Sequence, residues 1–599
     1  MPTQRLILWI IFSMSLLFLW DAWQRHQGQP TLFGSGPQSA QTDKKAPSSA
    51  GTSAQAPLSG GQSNTPADPS VPPGSVAAPV SQVPTQSSAA APGAAPPAPA
   101  MGEAAAGRID TVRLRNDVLS LDIELMGGQI RRAELLRHRD TTQPASNVLL
   151  FDVRANSTYL AQSGLIGAPE GRSFPTHRTP MQRAGNPLPT ELGATGEAAA
   201  VTLSGESGGV RLERTLRLAR GSYVLEVSER VTNIGDVPVT PVLYLQLTRD
   251  ANAPPGGSDF YATYVGPVIY TDKDKFQKVD FSDIEKGKAK HPTTATDGWL
   301  GIIQHYFVAA WLPADKLARE YYTRKVGSNL YSVGAKLGLG EIAPGAATTV
   351  SSRLLAGPQD QRMLESVAPG LELSVDYGFL TVIAKPIFWL LEKLHGLVGN
   401  WGWAIVLLTV IIKTLFYPLQ AAAYRSMARM KAVTPRLMAL RERYGDDRVR
   451  LNQAMMELYK TEKINPLGGC LPIVIQIPVF IALYWVLLSS VEMRDAPWIG
   501  WIQDLAAPDT LFGTIPGLNM PIGLLPILMA VTMFIQTKLN PTPPDPIQAK
   551  LMMFMPLIFS VMFFFFPSGL VLYWLVNNIY SIIQQWAITR SIEGAKKAG

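Results

Sequence analysis

The sequence predicts a multi-domain membrane protein with an α-helical transmembrane bundle, an all-β sandwich domain on one side of the membrane and a helical hairpin on the other. Three observations support this fold class. Apolar runs of about 20 residues, the length that spans a bilayer, recur in the last third of the chain. The middle of the chain alternates apolar and polar residues with period two, which is typical of antiparallel strands. Basic residues concentrate in alternate loops between the apolar runs.

The composition agrees with a membrane protein and excludes two kinds of site. Only 17% of the 599 residues are charged, below the roughly 25% of ordinary soluble domains. Cys470 is the single cysteine, so an intramolecular disulfide is impossible, and no Cys/His cluster has the spacing of zinc ligands. The phosphate-binding pattern G-x-x-x-x-G-K-[S/T] does not occur either. We therefore expect no metal, no cofactor and a function that is not enzymatic.

The N-terminal region has the layout of an export signal followed by a linker. The apolar run Leu6–Trp20 follows Arg5 and has no obvious small-x-small cleavage site before Arg25. This favours an uncleaved transmembrane anchor over residues 1–27, and a cleaved signal peptide is the alternative. Residues 28–107 consist mainly of Ala, Pro, Ser, Gly and Gln, a composition that predicts a disordered linker.

Residues 108–370 are predicted to form the β-sandwich domain. Apolar residues alternate with polar ones along several short segments, and turn residues punctuate them at Gly127-Gly128 and at Asn233–Asp236. This combination indicates an antiparallel sheet domain, with a sandwich as its usual form. The alternating positions are Leu119, Leu121, Ile123 and Leu125, then Leu216 and Leu218, then Tyr223, Leu225 and Val227, then Leu243, Leu245 and Leu247.

Residues 371–400 differ from the strands before them and from the spans after them. Apolar residues recur there at helical spacing, but charged residues interrupt them, so the segment is too broken to cross hydrocarbon. We expect an amphipathic helix that lies at the membrane interface, with Trp389 and Trp401 as interfacial anchors.

Five apolar segments after residue 400 are long enough to span the bilayer. The last two form a transmembrane hairpin, because only Pro567-Ser568-Gly569 separates them. Basic residues are frequent in loop 421–469 and flank loop 538–550, whereas loop 491–520 contains only Arg494. This asymmetry places both termini and the basic loops in the cytoplasm, and the strand-rich domain on the other side. The predicted spans are 401–420, 471–490, 521–537, 551–566 and 570–588, followed by a cytoplasmic tail at 591–599.

Loop 421–469 is predicted to form an antiparallel helical hairpin in the cytoplasm. Strong helix formers fill Ser426–Arg443 and Arg448–Lys463, and between them Gly445 and Asp447 supply a C-cap and an N-cap. Its basic residues favour lipid headgroups or ribosomal RNA, or serve only as a topology signal. Its methionines offer a landing surface for hydrophobic polypeptide, or else form the hairpin's own seam. These methionines are Met427, Met430, Met438, Met455 and Met456.

Polar side chains recur at helical spacing in the otherwise apolar spans. A lysine at the centre of a span costs about 2.5–3.5 kcal/mol on insertion scales. Polar stripes on separate helices therefore cost least free energy when they face each other across a hydrated cavity. The alternative is that Lys413 snorkels to the cytoplasmic surface and that the amides only join helices by hydrogen bonds. One stripe comprises Thr409, Lys413, Tyr417, Gln420 and Tyr424, a second comprises Tyr573, Asn577, Ser581 and Gln584, and Gln476, Thr532 and Gln536 lie in the second and third spans.

Four motifs in the membrane part of the chain are specific enough to compare with known families. They are Asn465-Pro466-Leu467-Gly468-Gly469-Cys470-Leu471-Pro472 continuing through Gln476, Pro478 and Leu483-Tyr484; Tyr417-Pro418-Leu419 with Ser426-Met427-Ala428; Phe554-Met555-Pro556; and Phe566-Pro567-Ser568-Gly569-Leu570-Val571-Leu572-Tyr573-Trp574. In these motifs the chain closely resembles the YidC/Oxa family of membrane protein insertases, over about Tyr377–Arg590. The order of anchor, linker and β domain is similar to that of the Gram-negative branch with a large periplasmic domain.

The resemblance implies a five-helix insertase core at residues 401–590, which inserts inner-membrane proteins and assists their folding through a hydrophilic groove open to the cytoplasm. It implies a basic residue in this groove, here Lys413, where many members carry arginine; the charge is kept without the bidentate fork. Thr409 and the Tyr573-Trp574 pair match positions that meet the sliding substrate. The groove residues expected in this way are Lys413, Thr409, Tyr417, Gln420, Gln476, Gln536, Tyr573, Trp574, Asn577, Ser581 and Gln584.

The resemblance also implies partners and a location. The partners are nascent inner-membrane proteins, the lipid bilayer, the ribosome or signal-recognition-particle pathway, and the Sec translocon. The protein acts either alone or together with this translocon. The expected form is a monomer in the bacterial inner membrane, with a periplasmic β domain.

Two other functions remain as alternatives. A membrane transporter or channel needs a midplane site, often with inverted repeats, and we find no repeat in this sequence. A periplasmic carbohydrate-active or carbohydrate-binding protein would use the β domain, where His305 and nearby acidic residues are the candidates. The chain has six histidines and no nucleophile motif, which disfavours an enzyme.

Overall fold

The structure, a computed structural model, describes residues 70–72, 110–141, 143, 145–154, 157–185, 188–254, 263–314, 316–445, 447–462, 471–516, 520–539, 553–554 and 560–598. They belong to two compact units, one rich in strands and one helical. The predicted anchor, almost all of the predicted linker, part of the predicted fourth span and the end of the predicted hairpin lie outside the described residues.

The strand-rich unit is built from two nine-stranded sheets in which all neighbouring strands are antiparallel, so the predicted all-β antiparallel domain is confirmed. Its strands are β1 (Thr111–Arg115), β2 (Leu119–Glu124), β3 (Ile130–Arg139), β4 (Asn147–Arg154), β5 (Ser157–Ile166), β6 (Gln182–Ala184), β7 (Ala198–Ser207), β8 (Val210–Ala219), β9 (Val224–Asn233), β10 (Val242–Asp250), β11 (Gly266–Thr271), β12 (Lys275–Lys278), β13 (Thr294–Ala295), β14 (Trp299–Gln304), β15 (Phe307–Pro313), β16 (Arg319–Gly327), β17 (Leu330–Gly338) and β18 (Ala347–Pro358). The first sheet has the order β1-β2-β3-β4-β5-β10-β17-β16-β13, and the second β12-β11-β14-β15-β18-β9-β8-β7-β6.

The two sheets share a core that contains a buried ion pair. In β8 and β9 the alternating apolar residues are buried, as the sequence predicts. Arg214 and Glu229, on these strands, are also buried, with 2.8 Å between Nε and Oε1. Ser163 of the first sheet donates a hydrogen bond to the same carboxylate at 2.7 Å. The Arg214 Nη1 group also donates to the carbonyl of Gly127, in a turn whose φ of +72° favours glycine.

Strand β10 differs from the half-exposed strand that its alternating sequence predicts. Every residue of Val242–Asp250 is buried, including Tyr244, Gln246 and Thr248 on the face that alternation assigns to solvent. The strand lies in the middle of its sheet, between β5 and β17. Its second face is covered by His177 and by residues 70–72, which a period-two pattern does not reveal.

The helical unit contains seven of the nine described α-helices that are named below. No single described helix is long and apolar enough to cross a membrane alone, whereas one bent pair of helices passes this test together. A short helix, α1 (Phe281–Glu285), belongs to the strand-rich unit, and α2 (Gln361–Val367) follows its last strand. The later helices are α3 (Thr381–Val398), α4 (Trp401–Leu415), α5 (Tyr417–Tyr444), α6 (Arg448–Thr461), α7 (Leu471–Ser489), α8 (Leu524–Leu539) and α9 (Ser568–Ala598), with a two-strand ladder between β19 (Thr514–Ile515) and β20 (Met520–Pro521).

Helix α3 occupies the segment predicted as an amphipathic interfacial helix. Ala384, Phe388 and Leu391 are buried at helical spacing, and the helix packs against α4 and α7. Trp389 points away from this contact and is 58% exposed. Its partner in the prediction, Trp401, stacks on His395 with ring centroids 4.0 Å apart.

The predicted span 401–420 is not one continuous helix. Helix α4 ends at Leu415, α5 begins at Tyr417, and their axes differ by 66°. Pro418 explains the break, because it has no N–H to donate and its ring would clash with the carbonyl of Thr414. The prediction that one helical face carries the whole first polar stripe is therefore wrong: two of its residues lie on α4 and three on α5.

The other predicted spans differ from the structure mainly in their ends. Helix α7 corresponds to the second span, whereas α8 starts at Leu524 because Met520 and Pro521 pair with a neighbouring strand. Helix α9 starts at Ser568, within the predicted turn Pro567-Ser568-Gly569, and continues through Ala598. The predicted tail is thus part of that helix over its described residues.

Helices α5 and α6 pack against each other around an apolar seam. The chain turns at Gly445, whose N–H donates to the Arg441 carbonyl, and Asp447 caps α6 by accepting the Arg450 N–H at 3.1 Å. Helix α5 continues through Pro435. The seam contains Val433 and Leu437, against which pack Met430, Met455, Leu458 and Tyr459.

Glu492 makes the helical unit sensitive to pH. It lies just after α7, and burial together with the charges of Asp360 and Glu392 raises its pKa to about 7. Because burial disfavours the ionised carboxyl group, the free energy of unfolding is highest below the unfolded pKa near 4.5. It decreases as the pH rises through the folded pKa of about 7. We expect Glu492→Gln to raise the unfolding free energy by about 1–2 kcal/mol at pH 8, and by much less at pH 5.

Thermal unfolding of the full chain in detergent at the two pH values measures this effect. Glu457→Gln, at an exposed position on α6, is the matched control. An equal change in melting temperature at pH 5 and pH 8 for Glu492→Gln would contradict the expectation.

Candidate functional site

A cavity of about 330 Å³ lies among the helices of the helical unit. Helices α4, α5, α7, α8 and α9 all contribute to its wall. Polar and apolar side chains share the lining: Lys413, Gln420, Ala423, Tyr424, Met427, Gln476, Ile477, Phe480, Met533, Gln536, Tyr573, Trp574, Asn577, Asn578 and Ser581.

A chain of hydrogen bonds connects four of these helices through the cavity wall. Lys413 Nζ on α4 donates to the Ser581 hydroxyl on α9 at 2.8 Å, and that hydroxyl donates to the Asn577 carbonyl one turn earlier. The Gln476 amide on α7 donates to Asn577 Oδ1 at 3.2 Å. The Gln420 amide on α5 donates to Gln476 Oε1 at 3.4 Å. Residues of the two predicted polar stripes therefore meet, although the first stripe is divided between α4 and α5.

Lys413 is the central charge of the cavity. Its side chain is only 3% exposed, and it sits in the last turn of α4. Among the described residues, no carboxylate lies within 4.0 Å of its ammonium group, and Ser581 is its hydrogen-bond acceptor. A buried ammonium with a single neutral acceptor retains donors for another polar group.

Aromatic side chains form the apolar part of the cavity wall. Phe480 on α7 contacts Trp574 edge-on, with ring centroids 4.6 Å apart, and lies nearly parallel to Tyr573 at 6.1 Å. The indole Nε1 of Trp574 is buried and has no hydrogen-bond partner among the described residues. The wall thus combines rigid apolar surface with polar atoms that can accept or donate further hydrogen bonds.

Most of the predicted groove residues come together in this cavity, and three do not. Thr409 is fully buried and its hydroxyl donates to the Ile405 carbonyl on its own helix. Tyr417 lies at the start of α5 and is 45% exposed, because the bend turns it away from α4. Gln584 is buried, and neither amide atom has a partner among the described residues. The predicted residues that line the cavity are Lys413, Gln420, Gln476, Gln536, Tyr573, Trp574, Asn577 and Ser581.

Sequence reasoning missed part of the lining. Asn578 lines the cavity beside Asn577. Its amide group donates to the Thr532 hydroxyl at 3.3 Å. Phe480 and Met533 gave no signal, because apolar residues on an apolar helix do not stand out. Tyr424 belonged to the first stripe, and its side chain reaches Ser581 across the cavity.

The five methionines of the predicted hairpin divide into three environments. Met427 lines the cavity. Met430 and Met455 pack in the seam between α5 and α6, as the alternative interpretation predicts. Met438 and Met456 are 46% and 56% exposed, so these two are available as apolar surface.

The enzyme alternative relied on His305 of the β domain. His305 lies in the turn between β14 and β15 and stacks on Tyr306. In the part of the chain that the structure describes, no three His, Cys, Asp or Glu side chains are placed to hold a metal ion together.

Comparison with known proteins identifies the family on both halves of the chain. A family model described as YidC periplasmic domain matches residues 111–390, and one described as 60Kd inner membrane protein matches residues 393–596. The membrane protein insertase YidC of Bordetella petrii is 51% identical over 598 residues, which cover 100% of this chain and 99% of that protein. The membrane protein insertase YidC of Janthinobacterium sp. is 49% identical over 594 residues, 99% of each chain.

A solved structure, an active YidC insertase with the first transmembrane domain resolved, matches 79% of this chain and 93% of its own, at 18% identity and a TM-score of 0.36. The family models and the full-length relatives agree with the resemblance of the sequence motifs. The chain therefore belongs to the YidC family of membrane protein insertases, inner-membrane proteins with a periplasmic domain.

Proposed function

We propose that the cavity around Lys413 is a hydrophilic groove in which the protein holds the polar segment of a nascent inner-membrane protein during insertion. The observation that carries this proposal is a lysine, 3% exposed, that lines a cavity together with five amide side chains and has no carboxylate partner among the described residues. A structural lysine would be expected to pair with an acidic side chain or to reach the surface.

The groove reduces the main cost of insertion. A polar segment that enters hydrocarbon loses its hydrogen bonds to water, at about 2–7 kcal/mol for each unpaired group. Gln420, Gln476 and Asn577 offer amide donors and acceptors at the depth of the helices, and Gln420 Oε1 has no partner among the described residues. Such groups, with water bound to them in the cavity, replace the lost bonds while the segment passes.

The charge of Lys413 favours acidic residues in the incoming segment. An ammonium in a poorly hydrated site attracts a carboxylate more strongly than one in bulk water. Lysine acts as a point charge without the planar fork of arginine, so it imposes little geometry on the approaching carboxylate. This suits a site past which different polar segments slide.

Partition of the hydrophobic segment supplies the driving force. Burial of apolar surface in lipid contributes about 25 cal/mol per Å², so a spanning segment gains enough free energy to leave the groove without nucleotide hydrolysis. The exposed apolar residues of α8, such as Val531 and Phe534, offer a surface along which such a segment moves into lipid. The protein thus acts as a non-enzymatic insertase and chaperone.

The orientation in the membrane completes this scheme. Both termini, loop 538–550 and the α5–α6 hairpin lie in the cytoplasm, where exposed Met438 and Met456 receive hydrophobic segments as they emerge. The β domain lies in the periplasm. The proposed partners are the ribosome or its targeting pathway on the cytoplasmic side and, for some substrates, the Sec translocon.

Site-specific crosslinking of a stalled nascent membrane protein tests the groove. Photo-crosslinkers at Gln420 and Asn577, both in the cavity wall, should label the nascent chain. A crosslinker at Ile583, 58% exposed on the same helix as Asn577, is the matched control. We expect at least fivefold higher yield from the two cavity positions while the polar segment is being held. Equal yields at Asn577 and Ile583 would contradict the proposal.

A further inference from the structure

Residues Ser70, Val71 and Pro72 belong by sequence to the linker, yet they lie against the β domain. The Ser70 hydroxyl is 2.9 Å from His177 Nε2, and the Ser70 carbonyl accepts a hydrogen bond from Gln246 Nε2 at 2.9 Å. Val71 packs on the apolar cluster of Ile166, Val242 and Tyr244, and Pro72 is buried. Three successive residues are therefore bound through the main chain, a hydroxyl group and two apolar side chains.

The sheet surface under this tripeptide is a polar row across four strands. Strand register aligns Gln162 of β5, Gln246 of β10, Gly334 of β17 and Tyr322 of β16. A Cβ atom at Gly334 would come within 2.3 Å of the Tyr322 hydroxyl, so the glycine lets this phenol lie across β17. The Tyr322 hydroxyl reaches Gln246 Oε1 at 2.7 Å for that reason.

These neighbours fix the direction of the Gln246 amide. Its oxygen accepts from Tyr322 and from Ser332, at 2.7 and 3.2 Å. One N–H donates to Gln162 Oε1 at 2.7 Å, and the other donates to the Ser70 carbonyl. Because a carboxamide has two donor hydrogens and two acceptor positions, every position is used, and only the bond to Ser70 comes from outside the sheet. The row thus presents one oriented donor to a peptide carbonyl.

His177 supplies a second oriented group. The Tyr244 hydroxyl accepts the His177 backbone N–H at 3.1 Å and lies 2.6 Å from His177 Nδ1. The Tyr244 hydroxyl has one hydrogen, and in the tautomer in which it donates this hydrogen to Nδ1, the proton of the neutral imidazole is on Nε2. We assign this tautomer, in which Nε2 donates to the Ser70 oxygen. Gly164 permits this arrangement, since a Cβ there would come within 2.6 Å of the Tyr244 hydroxyl.

We propose that this face of the β domain is a binding site for an extended peptide with a hydroxyl residue, an aliphatic residue and a proline in succession, and that the chain's own Ser70–Pro72 occupies it. The geometry recognises a carbonyl through Gln246, a hydroxyl oxygen through His177 and an aliphatic side chain on the cluster around Tyr244. The bound tripeptide attaches the linker to the domain at a point that precedes residue 110, where the described domain begins, by 38 residues in the sequence. A free peptide of the same pattern competes for the site.

A photo-crosslinker on the side chain at position 71 of the full chain tests the bound position. We expect crosslinks to β5 and β10 near Ile166, Val242 and Tyr244. The sequence provides a matched control position, because a second Val-Pro pair at Val83-Pro84 follows Gln82 instead of a hydroxyl residue. A crosslinker at position 83 should give less than one-fifth of that yield on the same strands. Equal yields from positions 71 and 83 would overturn the proposal.

Competition by synthetic peptides tests recognition in the same assay. A peptide with the sequence of residues 66–76 should reduce the crosslinks from position 71 by at least half at millimolar concentration, the range expected for so few contacts. Peptides with Ser70→Ala or Val71→Asp should compete at least fivefold more weakly, whereas Ser70→Thr keeps the acceptor and should compete normally. Equal competition by all four peptides would show that no specific site exists. Because only the peptides change, the result does not depend on the folding of a variant.

Discussion

We expect Lys413→Met to lower the insertion of a substrate with an acidic polar tail about tenfold. Methionine has a similar length and keeps the apolar packing of the stem, so the change removes the charge with little loss of volume. A factor of ten corresponds to about 1.4 kcal/mol, a modest part of the attraction between two charges in a partly hydrated site. Protease protection of the translocated tail in vesicles measures the insertion rate.

The control variant and the control substrate separate the charge from the fold. Lys413→Arg keeps the charge and should keep more than half of the activity. A substrate in which the acidic residues of the tail are replaced by asparagine should lose less than twofold with Lys413→Met. If Lys413→Met slows both substrates equally, the lysine stabilises the bundle through Ser581 and does not attract the tail.

The second large effect concerns the core of the β domain. We expect Arg214→Met to lower the local unfolding free energy of β8 and β9 by about 3–5 kcal/mol, because Glu229 then keeps a buried charge without its cation. The bond to the Gly127 carbonyl is lost as well. Hydrogen exchange of the β8 and β9 amides in the full chain measures the change at the strands concerned.

An exposed ion pair on the same two strands provides the matched control. Arg217 Nη1 and Glu226 Oε2 are 2.8 Å apart, but their side chains are 44% and 56% exposed. Arg217→Met should therefore cost less than about 1 kcal/mol. Similar exchange rates in Arg214→Met and Arg217→Met would show that burial does not determine the strength of the first pair.

Period-two and helical patterns predicted the kinds of element well, because they report which face of an element is buried. Leu216 and Leu218 are buried on one face of β8, as alternation indicates. The same pattern could not predict the second buried face of β10, since the cover comes from His177 and Ser70, both distant in sequence. It also could not predict the bend before Tyr417, because apolar composition continues through it. Pro418 was the available signal, and its effect on the preceding turn is a local steric rule.

The candidate site was partly visible in the sequence for a related reason. Lys413, Asn577 and Ser581 are conspicuous because polar groups in apolar spans are costly and rarely occur without a role. Thr409 was misleading, since a threonine hydroxyl can bond its own helix and leave no trace in the cavity. Phe480 was invisible, because its importance follows from its contact with Trp574 on another helix.

The discontinuity at Phe416 determines the spacing of two polar groups in the cavity wall. Lys413 lies at the end of α4 and Gln420 near the start of α5, and the chain changes direction by 66° between them. Their separation in space is therefore set by the bend and not by the regular rise of one helix. The placement of the cation relative to the first amide of α5 thus depends on a backbone feature as much as on the side chains themselves.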